Sequence, residues 1–195
     1  MRYILLLILF LLFSCRDIRH DVQLLREAEL LSDSIPKEAL TKLQTIKNSK
    51  YLPDADQAKY NFLLTQTMLN TGTRPQSDSI ISKAIDYYRQ TTDSAALFES
   101  LFMKGRYFYS FSRHDSALDY FSQAESVIPS GDDINKHYRV QRVSGFSQLY
   151  LGDVNKAVNH LKKAVELSWQ TKDTLSVIYA TMNLAMAQGY DKTND

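Results

Sequence analysis

The sequence predicts an all-α fold, a right-handed α-α superhelix of antiparallel helix pairs repeating about every forty residues. Three observations predict it. Small and large residues recur in columns at that interval, and apolar residues inside each segment follow helical spacing. The third is composition: Gly 6 and Pro 4 in 195 residues leave too few breakers for a turn-dense all-β or linker-rich chain. Strand-type alternation is absent over any useful length. With 44% hydrophobic, 23% charged and 11% aromatic residues, the chain can bury an ordinary core.

The first fifteen residues stand apart from this pattern. Arg2 is a minimal basic region, and Tyr3 to Phe13 is an unbroken apolar run of 11 residues. A bilayer span needs about 20 residues, so this run has instead the length of a secretory signal's apolar region. Leu12-Phe13-Ser14-Cys15 follows, then the charged stretch Arg16 to Arg19. Leu12 to Cys15 resembles the lipobox of bacterial lipoproteins, in which the cysteine is acylated and becomes the mature N-terminus. The resemblance implies that Cys15, the only cysteine, carries lipid, at about 0.8 kcal/mol for each buried methylene. The alternative is a simple secretory signal with an incidental cysteine. Removing residues 1–14 takes away one charge and leaves 22 basic against 22 acidic residues, so the expected anchor is lipid rather than electrostatic.

Residues 16–195 form the expected repeat domain. Ile18 to Leu31 and Pro36 to Ile46 read as an opening helix pair, with Ala39, Leu43 and Ile46 inward. First helices follow near 54–71, 93–111, 132–151 and 173–188, and second helices near 76–90, 114–128 and 154–170. Gly72, Pro75, Pro129, Gly131 and Gly152 separate them. Ser112 with Asp115, and Asp153, stand near helix starts as candidate caps. Four columns share one register: Thr65, Gly105, Gly145 and Ala185; Ser77, Ala117 and Ala157; Ile81, Phe121 and Leu161; Ala84, Ala124 and Ala164. Small residues are expected where two helices cross closely, with the large ones filling the space beside them. The layout is about four helix pairs and one extra helix.

These residues resemble the tetratricopeptide repeat (TPR). The unit 98–129 matches best, through Gly105, Phe108, Ala117, Phe121, Ala124 and Pro129. The unit 138–169 keeps Gly145, Gly152-Asp153, Ala157, Leu161 and Ala164, with Gln148 where an aromatic is usual. Asn183-Leu184-Ala185 resembles the first-helix core of a further unit, and 58–89 is a degenerate one. The usual period is about 34 residues, so forty implies longer helices. The chain stops at Asp195, after the first helix of a fifth unit, leaving Ile178, Leu184 and Met186 without the second helix that usually covers them. Either the last helix acts as a cap or this is the front of a longer protein. The layout resembles the sensor half of bacterial regulators in which such repeats precede a membrane span and a DNA-binding module.

Little in the sequence points to chemistry. His20, His114, His137 and His160 include no pair at the four-residue spacing of a helical zinc motif. His114 falls in a helix–helix turn, and His160 lies on a second helix where solvent exposure is the default. No glycine-rich phosphate loop or Gly-x-Ser-x-Gly elbow occurs. Asp132-Asp133 sits at a helix start, where the dipole alone justifies it. No catalytic residue, cofactor or metal is therefore expected, and an envelope enzyme is the weakest reading. The aromatic clusters Tyr87-Tyr88, Tyr107 to Phe111 and Tyr120-Phe121 read as helix-pair core with hydroxyls at the rim, rather than as a cofactor box or stacking platform. Nucleic acid is not an expected partner, because a platform for it would want a strong basic surplus, and the formal charge is +1.

The TPR resemblance implies a concave face lined by first helices. Carried onto this chain, it names Lys59, Phe62 and Gln66; Phe102, Arg106 and Tyr109; Arg139, Arg142 and Phe146; and Tyr179, Met182 and Met186. The set mixes apolar anchors with four cations and no acid, a combination suited to a partner with acidic groups. The Lys/Asn set of the family's chaperone-tail clamp is not found. The expected function is a non-catalytic protein- or peptide-binding scaffold anchored in the bacterial cell envelope, facing the periplasm or outside. The alternative is the sensory part of a membrane-spanning regulator without its output module.

Overall fold

The computed structural model describes residues 18–129 and 133–192, with side chains through Tyr190. The signal and lipobox with Cys15 lie outside the described residues, as do Gly131 and Asp132. Among the described residues no strand occurs. The helices are α1 (18–31), α2 (Pro36–Thr45), α3 (Asp54–Asn70), α4 (Ser79–Tyr88), α5 (Ser94–Ser110), α6 (His114–Ser126), α7 (Ile134–Tyr150), α8 (Val154–Ser168) and α9 (Thr174–Lys192). A short 3-10 turn, Ser49–Tyr51, leads into α3. The chain divides into two compact units, one ending at Gln90 and the other beginning at Thr91.

In the first unit, Leu25 and Ala28 of α1 meet Ala39 and Leu43 of α2 and Leu63 of α3, with Ile46 and Leu52 closing the cluster. Pro36 begins α2, where its missing N–H costs nothing. Ile81, Ala84 and Ile85 form the inward stripe of α4. Ser77 departs from its column. It is exposed and lies before α4 starts, while Ala117 and Ala157 are fully buried within α6 and α8. Here Pro75 is buried instead, and the connection before α4 is irregular rather than helical.

In the second unit α5 to α9 pack in succession. Ala117, Phe121 and Ala124 of α6, and Ala157, Leu161 and Ala164 of α8, are wholly buried. The small-residue column explains how they get there. A Cβ on Gly105 would fall on the Phe121 ring, and one on Gly145 would lie 2.6 Å from Leu161 Cγ. Thr65 holds the same place in α3, buried, with its hydroxyl donating to the Asn61 carbonyl. Ala185 does not follow: it is exposed on α9, whereas Ala180 and Ala187 are the buried small residues of that helix.

Helix starts repeat as well. Asp93, Asp133 and Asp173, each forty residues after the last, cap α5, α7 and α9 by accepting from backbone N–H groups of Ala96, Lys136 and Ser176. Asp153 caps α8 through the Lys156 N–H, as its position predicts. Ser112 is not a cap. Its φ is +57°, the left-handed region also occupied by Gly72 (+74°) and Gly152 (+81°), and these three again stand forty residues apart. Arg113 takes the cap position of α6, without a side-chain hydrogen bond.

These contacts set opposite signs for two similar substitutions. Alanine is the better helix former by about 1 kcal/mol, so Gly189→Ala, with nothing within 4 Å of the new Cβ, should stabilise the protein by up to that amount. Gly105→Ala drives a methyl into Phe121, and overpacking of about 1–3 kcal/mol should outweigh the helix gain. Urea unfolding followed by circular dichroism should show the two variants moving in opposite directions.

Candidate peptide-binding face

The candidate residues of the first unit lie on α3. Lys59 pairs with Glu29 of α1 at 2.9 Å, and Gln66 donates to Asp33 at 3.0 Å. Phe62 packs against the core cluster. Two of the three positions are therefore already engaged by acids, one in α1 and one in the turn that follows it, which the sequence spacing does not reveal.

In the second unit, side chains bridge α5 and α7. Arg139 donates both guanidinium arms to Glu99, at 2.6 and 2.8 Å. Its plane also lies 4.4 Å from the centre of the Phe102 ring and 5.5 Å from that of Phe98. A bidentate pair stacked on two aromatic rings is a fixed element, not a free arm. The face thus carries an acid, Glu99, that the sequence-derived set of four cations and no acid leaves out. Phe102 is also not a surface anchor: at 4% exposure it lies inside the core, tilted against Phe121 with centroids 5.5 Å apart.

Arg106 and Arg142 remain. Burial pushes the Arg106 guanidinium below its ordinary value, and the charges of Arg139 and Arg142 push the same way, with Glu99 opposing. Arg106 also donates weakly to the Met103 sulfur at 3.8 Å. The Nε of Arg142 is buried and has no hydrogen-bond partner among the described residues. Three like charges therefore lie close together, and both oxygens of Glu99 are taken by Arg139. Phe146 is half-buried on α7.

Beyond the arginines lies an aromatic group. Tyr109 meets His114 edge-on at 5.2 Å and Tyr150 at 5.8 Å, while His114 stacks on Tyr150 at 4.7 Å with rings nearly parallel. Burial raises the Tyr109 hydroxyl well above its usual value, and its contact with Tyr150 adds to the rise. Burial lowers His114, opposed by Asp115, and leaves its Nδ1 without a hydrogen bond. His160 is half-buried rather than exposed. Its Nδ1–H donates to the Gln141 carbonyl at 2.7 Å, and the Gln141 amide donates to Glu125 at 2.8 Å, which ties α8, α7 and α6 together. Burial and Lys163 lower its pKa, with Glu125 opposing.

The remaining aromatic clusters are core and rim. Phe98, Phe108 and Phe121 are buried, Phe108 stacks on Tyr120, and the Lys104 ammonium sits 4.7 Å over the Tyr120 ring. Tyr179, Met182 and Met186 are exposed on α9. Among the described residues, no group of three or more His, Cys, Asp or Glu is placed to hold a metal ion, and no helix is long and apolar enough to cross a membrane.

Comparison with solved structures places the fold. The nearly identical TPR-like repeats described as a kinesin light chain from Podosopora anserina superpose with a TM-score of 0.68 at 14% identity, covering 88% of this chain and 86% of that one. A second structure of the same repeats gives 0.67 at the same identity and coverage. MamA (AMB-1) superposes with a TM-score of 0.57 at 12% identity, covering 91% of this chain and 96% of that one. No protein-family model matches the sequence, and no curated protein does either. The fold is TPR-like, as the columns predict.

His114 and His160 should make the second unit sensitive to mild acid. A group whose folded pKa is lowered binds fewer protons than in the unfolded chain, so its contribution to stability is complete above its ordinary value near 6.5 and shrinks as pH falls toward the folded value. Denaturant midpoints should therefore decline as pH drops below about 6.5. His114→Phe keeps the ring stacked on Tyr150 and removes one titrating group, so its midpoint-against-pH curve should be flatter over the same range.

Proposed function

We propose that this chain is a non-catalytic scaffold that binds a protein or peptide bearing an acidic group, through Arg106 and Arg142 on the face that α5 and α7 share. The TPR-like fold supports the general class, since repeats of this kind offer a surface formed before the ligand arrives. The observation that carries the finer reading is the charge balance of the face. Glu99 is fully committed to Arg139, and Arg142 keeps a buried Nε–H unsatisfied. A carboxylate placed near Arg106 and Arg142 would offset the repulsion between these neighbouring cations. Phe146 and Tyr109 beside it offer apolar surface to a neighbouring side chain.

The two components respond differently to salt. Attraction between exposed charges is screened over about 8 Å at physiological ionic strength, whereas aromatic burial is not. Binding of the native partner, recovered by crosslinking in intact cells, should weaken with salt without vanishing. Arg106→Ala with Arg142→Ala should reduce affinity by about tenfold or more, since each truncated contact to a charged group is worth about 1.5–3 kcal/mol. Helicity and unfolding midpoint should stay near those of the parent. Full affinity in that folded variant would place the partner elsewhere.

The proposal extends to location. The lipobox-like run ending in Cys15 supports a lipid-anchored protein of the cell envelope, tethered at one end and exposing its helical repeats to the periplasm or the outside. Cys15→Ser should abolish fatty-acid labelling and release the chain from the membrane fraction. Continued labelling and sedimentation with membranes would remove the anchor from this reading.

A further inference from the structure

α9 is apolar on two sides. One stripe, through Ala180 and Ala187, is buried against its neighbours, and Ala180 joins a cluster with Tyr138 and Ala164. The other stripe is exposed along the helix: Leu175, Ile178, Tyr179, Met182, Met186 and Tyr190. Leu175, Ile178, Met182, Met186 and Tyr190 follow one another at three or four residues, and Tyr179 lies beside Ile178 on the same broad face. Met182, near the middle, is 60% exposed, and Trp169, just before α9, is 69% exposed.

We propose that this face is a homodimer interface, on which a second copy of the chain lays its own α9 antiparallel and seats Tyr190 in the cleft beside Trp169. Three observations favour a second copy over other occupants. The first is charge. From Thr174 to Tyr190 α9 carries no Asp, Glu, Lys, Arg or His, so the face offers nothing to a charged partner and meets its own copy without like-charge repulsion. An interfacial membrane helix would carry Lys or Arg along its polar side, and α9 carries none before its last residue, Lys192.

The second is size. Six half-exposed side chains offering roughly 100 Å² each, with Trp169 beside them, make a face of about 700 Å². That is close to the ~800 Å² each partner contributes to a standard stable interface. The third is shape. A cleft of about 440 Å³ opens at the start of α9, lined by Trp169, Lys172, Asp173, Thr174, Val177 and Ile178. Its apolar walls and charged rim suit a phenol. Tyr190 stands at the other end of the stripe, about 22 Å away at 1.5 Å per residue. Antiparallel pairing centred next to Met182 brings each Tyr190 to the other copy's cleft and each Tyr179 beside the other's Met186. Ala185 leaves room for the approach, as Gly105 and Gly145 do within each pair. Tyr179, Met182 and Met186 then serve self-association rather than a peptide.

Sedimentation velocity on the full chain over a micromolar concentration range tests this, in the parent and in a Cys15→Ser background that removes any lipid-driven association. A dimer is expected in both. Met182→Asp should yield monomer with unchanged circular dichroism, and Tyr190→Ala should raise the dissociation constant about tenfold. If Met182→Asp unfolds, Leu175→Glu decides, because an acid in the first helical turn suits the dipole and the fold should survive. A parent chain that stays monomeric, or folded Leu175→Glu that stays dimeric, overturns the proposal. A monomer that sediments with phosphatidylcholine vesicles overturns it in favour of a lipid surface.

Discussion

The second unit depends on close crossing between a helix with no side chain at one position and a helix with a large one opposite. Gly105 makes room for Phe121, and Gly145 makes room for Leu161. Both partners lie sixteen residues downstream, so the same length of helix and turn must separate them each time. That constraint fixes where the second helix begins, which in turn fixes the left-handed turn at Ser112 and Gly152. Dense packing leaves no neighbouring register, because a slip of one residue would bring a Cβ into the Phe121 ring.

The same spacing builds the outer face. α5 and α7 each run for 17 residues, more than four turns. That length separates three kinds of chemistry along one side of the pair. Glu99 and Arg139 lock the N-terminal part, Arg106 and Arg142 occupy the middle, and Tyr109, Tyr150 and His114 close the other end. The locked pair keeps the two helices in step, so the middle cations are held close together against their repulsion. Arg139 is thus a positioning residue, and the ligand chemistry falls to its neighbours.

What could be read from the sequence follows from what is steric. The columns of small and large residues are visible because only volume decides them, and each of Ala84, Ala124 and Ala164 is fully buried. The capping aspartates 93, 133 and 173 form an equally regular column that spacing could have disclosed. Ser112 hides in a glycine column because a short polar side chain tolerates the left-handed region poorly but not prohibitively. Pairing of charges was not legible. Lys59 and Arg139 stand forty residues either side of Glu99 in one column, yet spacing alone does not show that Arg139 pairs with Glu99 or that Lys59 pairs with Glu29 of α1. The chain from His160 through Gln141 to Glu125 joins three helices by polar contacts that leave no periodic trace.

The two faces of the second unit rest on different forces, and this decides how they can coexist. The arginine face is directional: its strength lies in a few charge-assisted hydrogen bonds to an acceptor of the right geometry, and area matters little. The α9 face is the reverse. It has no charge to orient a partner and must rely on contiguous apolar area, which is non-directional and needs a complementary shape to become specific. A cleft at one end of α9 and a tyrosine at the other supply that shape only when the partner runs antiparallel. Salt acts on the first face and leaves the second nearly untouched, so neither interaction competes with the other for the same solution conditions. Self-association through α9 would then display two arginine faces on one particle. A partner carrying two acidic segments would gain avidity from that pairing without any new contact.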